Sequence, residues 1–128
     1  MNTQPEQTLT LQRIHTARTH EILLRIGVPP HLYGYEYIIH SVELILHNPD
    51  LLHHITKGLY IDVASYFKTN PARVERAIRH AIHVTWLHGN ISLINDIFRY
   101  SIRIDKCVPT NTMFLARLYH YINNHEYE

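Results

Sequence analysis

Apolar side chains recur along this chain at intervals of three and four residues, the spacing of a helix with one buried face, and hardly anywhere in the strict alternation of a strand. Leu11, Ile14, Arg18, Ile22, Leu23 and Ile26 lie near one such stripe, and Gly27 followed by Val28, Pro29 and Pro30 provides a stop. A second helix is expected from Tyr33 to His47, with Tyr37, Ile38, Val42, Ile45 and Leu46 as its apolar face and Asn48-Pro49-Asp50 as the break. From Leu51 to Phe67 the period persists, but Gly58 argues for two helical pieces rather than one. Lys68-Thr69-Asn70 is a polar turn. Asn70 is a natural N-cap and Pro71 suits a first helical position, so the next helix starts there and runs to about Leu87, where His88-Gly89-Asn90 ends it. A short helix to about Phe98 and a last one after Pro109-Thr110-Asn111 follow. No Asn-Gly or Asp-Gly hairpin joins two alternating runs. The expected fold is all-α, a compact bundle of about six helices, with residues 1–10 as a flexible segment ahead of one helical domain over 11–128.

Composition supports that reading without naming a function. An apolar content of 45% is enough for one core built without metals or crosslinks. Lys and Arg number 12 against 11 acids, so the position of each charge matters more than the sum. Cys107 is the only cysteine; it has no partner in the chain and reads as an ordinary loop residue in a reducing cytoplasm. Met1 to Thr10 is polar and lacks the layout of a secretory signal, and no apolar run approaches the ~20 residues needed to cross a bilayer. No membrane association is expected. The 12 histidines are scattered; His80 and His83 can share a helical face, but no HExxH or CxxC pattern accompanies them, so neither metal nor cofactor is expected. Catalytic orders of Ser, His and Asp, or of Cys and His, are not found, and an enzyme is not expected.

Leu59 to Ile82 is the informative stretch. It sets two helices around a tight polar turn, with small Ala64 in the first and apolar Val63, Phe67 and Val74 where the pair would pack, the spacing of a helix-turn-helix over about 59–87. On the second helix Val74, Ala77, Ile78, Ala81, Ile82 and Thr85 share one arc. Ala72, Arg76, Arg79 and His83 cluster on the other side, with Arg73, Glu75 and His80 flanking. A face of this kind suits duplex DNA: arginine forks bond guanine O6 and N7 or hold phosphate, and a carboxylate accepts from cytosine N4. The competing explanation is a solvated helix face carrying a Glu75–Arg79 pair at i,i+4.

The segment Ala72-Arg73-Val74-Glu75-Arg76-Ala77-Ile78-Arg79-His80-Ala81-Ile82 resembles the recognition helix in the C-terminal effector domain of the sporulation master response regulator, stage zero protein A. The resemblance spans roughly Ile22 to Ala116 and includes Ile26-Gly27-Val28-Pro29, Gly34-Tyr35, Ile55-Thr56-Lys57, Leu59-Tyr60, Gly89-Asn90-Ile91 and Pro109-Thr110-Asn111. It implies a six-helix domain with an embedded helix-turn-helix, binding to promoter boxes resembling TGTCGAA, and a transcription regulator as the function. By the same resemblance Arg73, Glu75, Arg76 and Arg79 contact DNA, with Arg73 and Arg76 as base readers; His80, His83 and Asn70 complete the expected DNA-binding set. Asn90, Ser92, Asn95 and Arg99 fall on the surface that touches the RNA polymerase sigma factor, and Phe114, Leu118 and Tyr121 are candidate contacts of a homodimer on tandem boxes, with simple packing in the core of the chain as the alternative. Departures accompany the matches. Ser65 and Tyr66 stand where the family tends to have lysines, Arg99 replaces a glycine and Ser92 an acid, and only ~20 residues precede the matched region, too few for a receiver domain. The rival expectation is a protein-interaction module that antagonises a full-length relative or the sigma factor without reading DNA.

Overall fold

Gly27 ends the first helix as its position predicts: its φ of 99° is left-handed backbone, and the Val28 amide reaches back to the Leu23 carbonyl at 2.9 Å. The computed structural model describes residues 5–98 and 108–124, and no strand occurs among them. Six α-helices follow in order: α1 (Pro5–Ile26), α2 (Tyr33–His47), α3 (Tyr60–Phe67), α4 (Pro71–His88), α5 (Ile91–Phe98) and α6 (Asn111–Asn123). Two tight turns, a 3₁₀ turn at Pro49–His53 and a wider π turn at Ile55–Leu59, carry the chain from α2 into α3. The division near Gly58 thus takes the form of two single-turn pieces and one helix. Cys107 lies outside the described residues.

The first helix is longer than its apolar period suggests. It spans 22 residues from Pro5, so residues 5–10, read from sequence as a flexible segment, are helical. Glu6, Gln7, Leu9 and Leu11 are good helix formers without a branch at Cβ, which extends the helix without a buried face to hold it. Leu11 and Ile14 are accordingly exposed, and burial begins at Thr19, Ile22, Leu23 and Ile26. Upstream of that point the ties to α2 are polar: Gln12 meets His47 at 2.9 Å and Thr16 donates to Glu43 at 3.1 Å.

One core takes residues from all six helices. At its centre Phe98 of α5 and Phe114 of α6 stack with centroids 5.3 Å apart, and Trp86 of α4 meets both edge-on at 5.1 and 5.9 Å. These are favourable aromatic geometries. The placement of α4 is decided by main-chain approach. A Cβ on Gly34 of α2 would fall onto the Ala77 carbonyl of α4 and against the Ala81 methyl, so only glycine lets these helices lie this close. A similar contact brings Gly27 against Gly89 at the end of α4, where the Asn90 amide donates to the Ile26 carbonyl at 3.0 Å.

Candidate nucleic-acid interface

Helix α4 begins where its sequence dictates. Lys68 closes α3 in left-handed backbone (φ 57°, ψ 47°), and the Thr69 amide returns to the Ala64 carbonyl at 2.9 Å. Asn70 is extended, its Oδ1 accepting from the Arg73 amide at 3.0 Å, and Pro71 occupies the first turn. A turn of only these residues separates α3 from α4. Val74, Ile78, Ala81, Ile82 and Thr85 are buried and Ala77 is half-buried, which matches the apolar arc read from the sequence. Thr85 satisfies its hydroxyl within the helix by donating to the Ala81 carbonyl at 2.7 Å.

The opposite face is open. Arg73, Arg76, Arg79, His80 and His83 are all exposed, as is Asn70 at the start of the helix. Glu75 is half-buried, and its carboxylate accepts from Arg79 at 2.8 Å, an i,i+4 pair on the flank. Arg73 and Arg76 take part in no such pair with Glu75. The basic stripe and the carboxylate therefore occupy different sectors: Arg73 and Arg76 near the N-terminal end, Glu75 and Arg79 toward α6.

That second sector is anchored from behind by residues that pattern reading did not single out for function. Asn111, buried in the first turn of α6, donates at 3.0 Å both to the Tyr60 hydroxyl of α3 and to the Glu75 carbonyl of α4. One amide thus joins three helices. Burial pushes the Tyr60 phenol above its ordinary value; the Asn111 hydrogen bond pulls the other way, and the smaller influences of Glu75 and Arg79 oppose each other. The signal in the sequence was the start motif at Thr110, whose hydroxyl caps the Met113 amide at 3.2 Å and so orients Asn111 inward.

Other expected site residues separate into two groups. Asn90, Ser92 and Asn95 are exposed on or beside α5, with Asn90 also capping the Leu93 amide at 3.2 Å, while Arg99 lies outside the described residues. Phe114 and Leu118, read as candidate dimer contacts, are 0% exposed and belong to the core of this same chain. A second copy cannot reach them in the folded state. Tyr121 is half-buried, with the Arg117 guanidinium 5.7 Å from its ring centroid. Ser65 and Tyr66, which stand in place of expected lysines, are exposed, and Tyr66 stacks on His40 with centroids 4.0 Å apart. Among the described residues no group of three or more His, Cys, Asp and Glu is placed to hold a metal ion, and no helix is long and apolar enough to cross a membrane.

Residues 19–122 match the family described as the sporulation initiation factor Spo0A C terminal. The chain belongs to that family. Spo0A C-terminal domains are the DNA-binding effector part of Spo0A-type regulators of sporulation, a family of transcription regulators and not of enzymes, so DNA-binding regulation is the function that membership carries. Helices α2 to α5 lie wholly inside the matched span, as does the basic face of α4, and α6 does so but for its last residue, Asn123, whereas the first part of α1 precedes it.

Proposed function

We propose that α3 and α4 act as a helix-turn-helix and that α4 reads a short box resembling TGTCGAA in the major groove. The observation carrying this reading is the exposure of Arg73, Arg76 and Arg79 on a helix whose opposite face is buried, next to a capped N-terminus held by Asn70. Residues near the N-terminus of a recognition helix enter the groove first, which makes Arg73 and Arg76 the base readers. In this reading Glu75, paired with Arg79, accepts from cytosine, and Arg79, His80 and His83, farther along the helix, contact phosphate. The exposed Asn90, Ser92 and Asn95 form a surface for the RNA polymerase sigma factor, and the protein works in the cytoplasm on the nucleoid.

Fluorescence anisotropy with a tandem-box duplex and a scrambled duplex tests the assignment. Arg76→Ala is expected to weaken box binding by about 10- to 100-fold and to remove most of the preference for the box, as expected on losing a bidentate guanine contact. A variant that prefers the box as strongly as the parent protein overturns the reading. Affinity for both duplexes should fall steeply with salt, since phosphate neutralisation supplies the part common to both.

A further inference from the structure

Two hollows flank α4, and their chemistry differs. One, on the α6 side, is lined by Tyr60, Glu75, Arg79, His83, Thr110 and Asn111 among others, and contains the carboxylate already paired with Arg79. The other, on the α2 side, has a volume of about 640 Å³ and is walled by Tyr33, Tyr37, Phe67, Lys68, Arg73, Arg76 and their neighbours Thr69, Ala77 and His80. No acid lines it. Its walls come from three places: the first two turns of α2, the end of α3 with the turn that follows it, and the N-terminal half of α4.

The aromatic floor of this second hollow is packed, and its rim is exposed. Tyr37 is buried and packs on Phe67 with centroids 5.0 Å apart; Tyr33 stacks on Tyr37 at 6.3 Å and is itself 81% exposed. Its phenol is thus a polar group on an exposed aromatic stem at the rim. Lys68 is fixed by the left-handed backbone that ends α3, so its stem leaves the chain in a direction set by the main chain while its head remains exposed. Arg73 and Arg76 belong both to this hollow and to the face assigned to the major groove.

We infer that this aromatic and cationic hollow seats a phosphodiester of the DNA strand bordering the box, with Lys68 neutralising its charge and the Tyr33 hydroxyl donating to a phosphate oxygen. The inference rests on the major-groove reading above, because the same two arginines that would enter the groove form one wall of the hollow and bring the adjoining backbone over it. An anion suits a site lined by cations and free of carboxylates, and phosphates are the anions nearest any residue in a groove. The aromatic wall gives the sugar an apolar surface to rest on. Such a contact sets register and adds affinity on every sequence, in contrast to the base contacts of Arg76.

Single neutral methylphosphonates placed in turn along both strands of the box duplex and its flanks, titrated with the parent chain, Tyr33→Phe, Lys68→Asn and Arg76→Ala, test this. Asparagine tolerates left-handed backbone, and Phe keeps the stack on Tyr37, so both variants retain the fold, which circular dichroism checks. Lys68→Asn is expected to lower the slope of log K against log salt by about one phosphate equivalent, equally on box and scrambled DNA. Tyr33→Phe should weaken both by about 2- to 10-fold, the loss of one hydrogen bond. One or two adjacent methylphosphonates should weaken the parent chain and cost the Lys68→Asn variant clearly less. If both variants bind with the parent's affinity and slope while Arg76→Ala loses its preference, the hollow is not a phosphate seat and the groove assignment stands. If the parent chain shows no preference for the box, or Arg76→Ala keeps it, the groove assignment falls and the inference with it.

Discussion

Helices α4 and α6 begin in the same way. Each has a polar N-cap, Asn70 or Thr110, whose side chain accepts from the amide three residues on. Each then carries a set of residues that pattern and resemblance marked for contact with something outside the chain. On α4 the arginines among them, Arg73, Arg76 and Arg79, are exposed and Glu75 is half-buried; on α6 two of the three, Phe114 and Leu118, are sealed in the core. A guanidinium is costly to bury without a partner, so an arginine stripe opposite an apolar arc can face only solvent or a ligand. A phenylalanine gains equally from a core or an interface, and the core forms first in sequence of need. Charged positions therefore carried information about which face stays exposed, and apolar ones carried information about folding.

That contrast can be broken most forcefully at Phe114. Its stack on Phe98 and edge contact with Trp86 make Phe114→Ala a cavity mutation, expected to cost about 3–5 kcal/mol in urea unfolding. A loss under about 1 kcal/mol would return this residue to the list of surface contacts. Next comes the amide joining the two helices. Asn111→Ala leaves the Tyr60 hydroxyl and the Glu75 carbonyl without their shared donor, and about 1–3 kcal/mol of stability should go with it. If instead stability holds, α4 does not depend on α6 for its seat.

The capping of α4 supplies a smaller effect. Asn70→Ala should cost about 1 kcal/mol in thermal or urea unfolding, while Asn70→Gly should recover most of that; equal losses for both would show that the side chain acts other than as a cap. Smallest in stability is Arg79→Ala, because Arg79 is exposed and its i,i+4 pair with Glu75 is of a kind that contributes only a few tenths of a kcal/mol. Its DNA affinity should fall measurably all the same. Unchanged affinity would place Arg79 among the solvated residues, leaving Arg73 and Arg76 to carry the face.

Much of this arrangement was legible before any coordinates. Tyr33 to His47 and the start at Pro71 were bounded by Pro, Asn and Gly signals that act locally, and the outward sector of α4 followed from its period. Three things were not. Residues 5–10 read as loose because they lack an apolar stripe, yet helix propensity alone continues α1 through them. Lys68 adopts a conformation usually left to Gly or Asn, so nothing about lysine announced it as the hinge of the turn. Asn111 looked like part of a helix start, and its bonds to Tyr60 and to the Glu75 backbone depend on how distant helices meet.

The glycine contacts around α4 have an evolutionary and engineering corollary. Because the helix is seated by main chain against main chain, at Gly34 on Ala77 and at Gly27 on Gly89, its axis does not depend on which side chains project outward. On the proposed major-groove reading, recoding Arg73, Glu75 or Arg76 should leave the scaffold's aim unaltered, so libraries varied at those positions alone can be selected for new operators without re-engineering the frame that presents them.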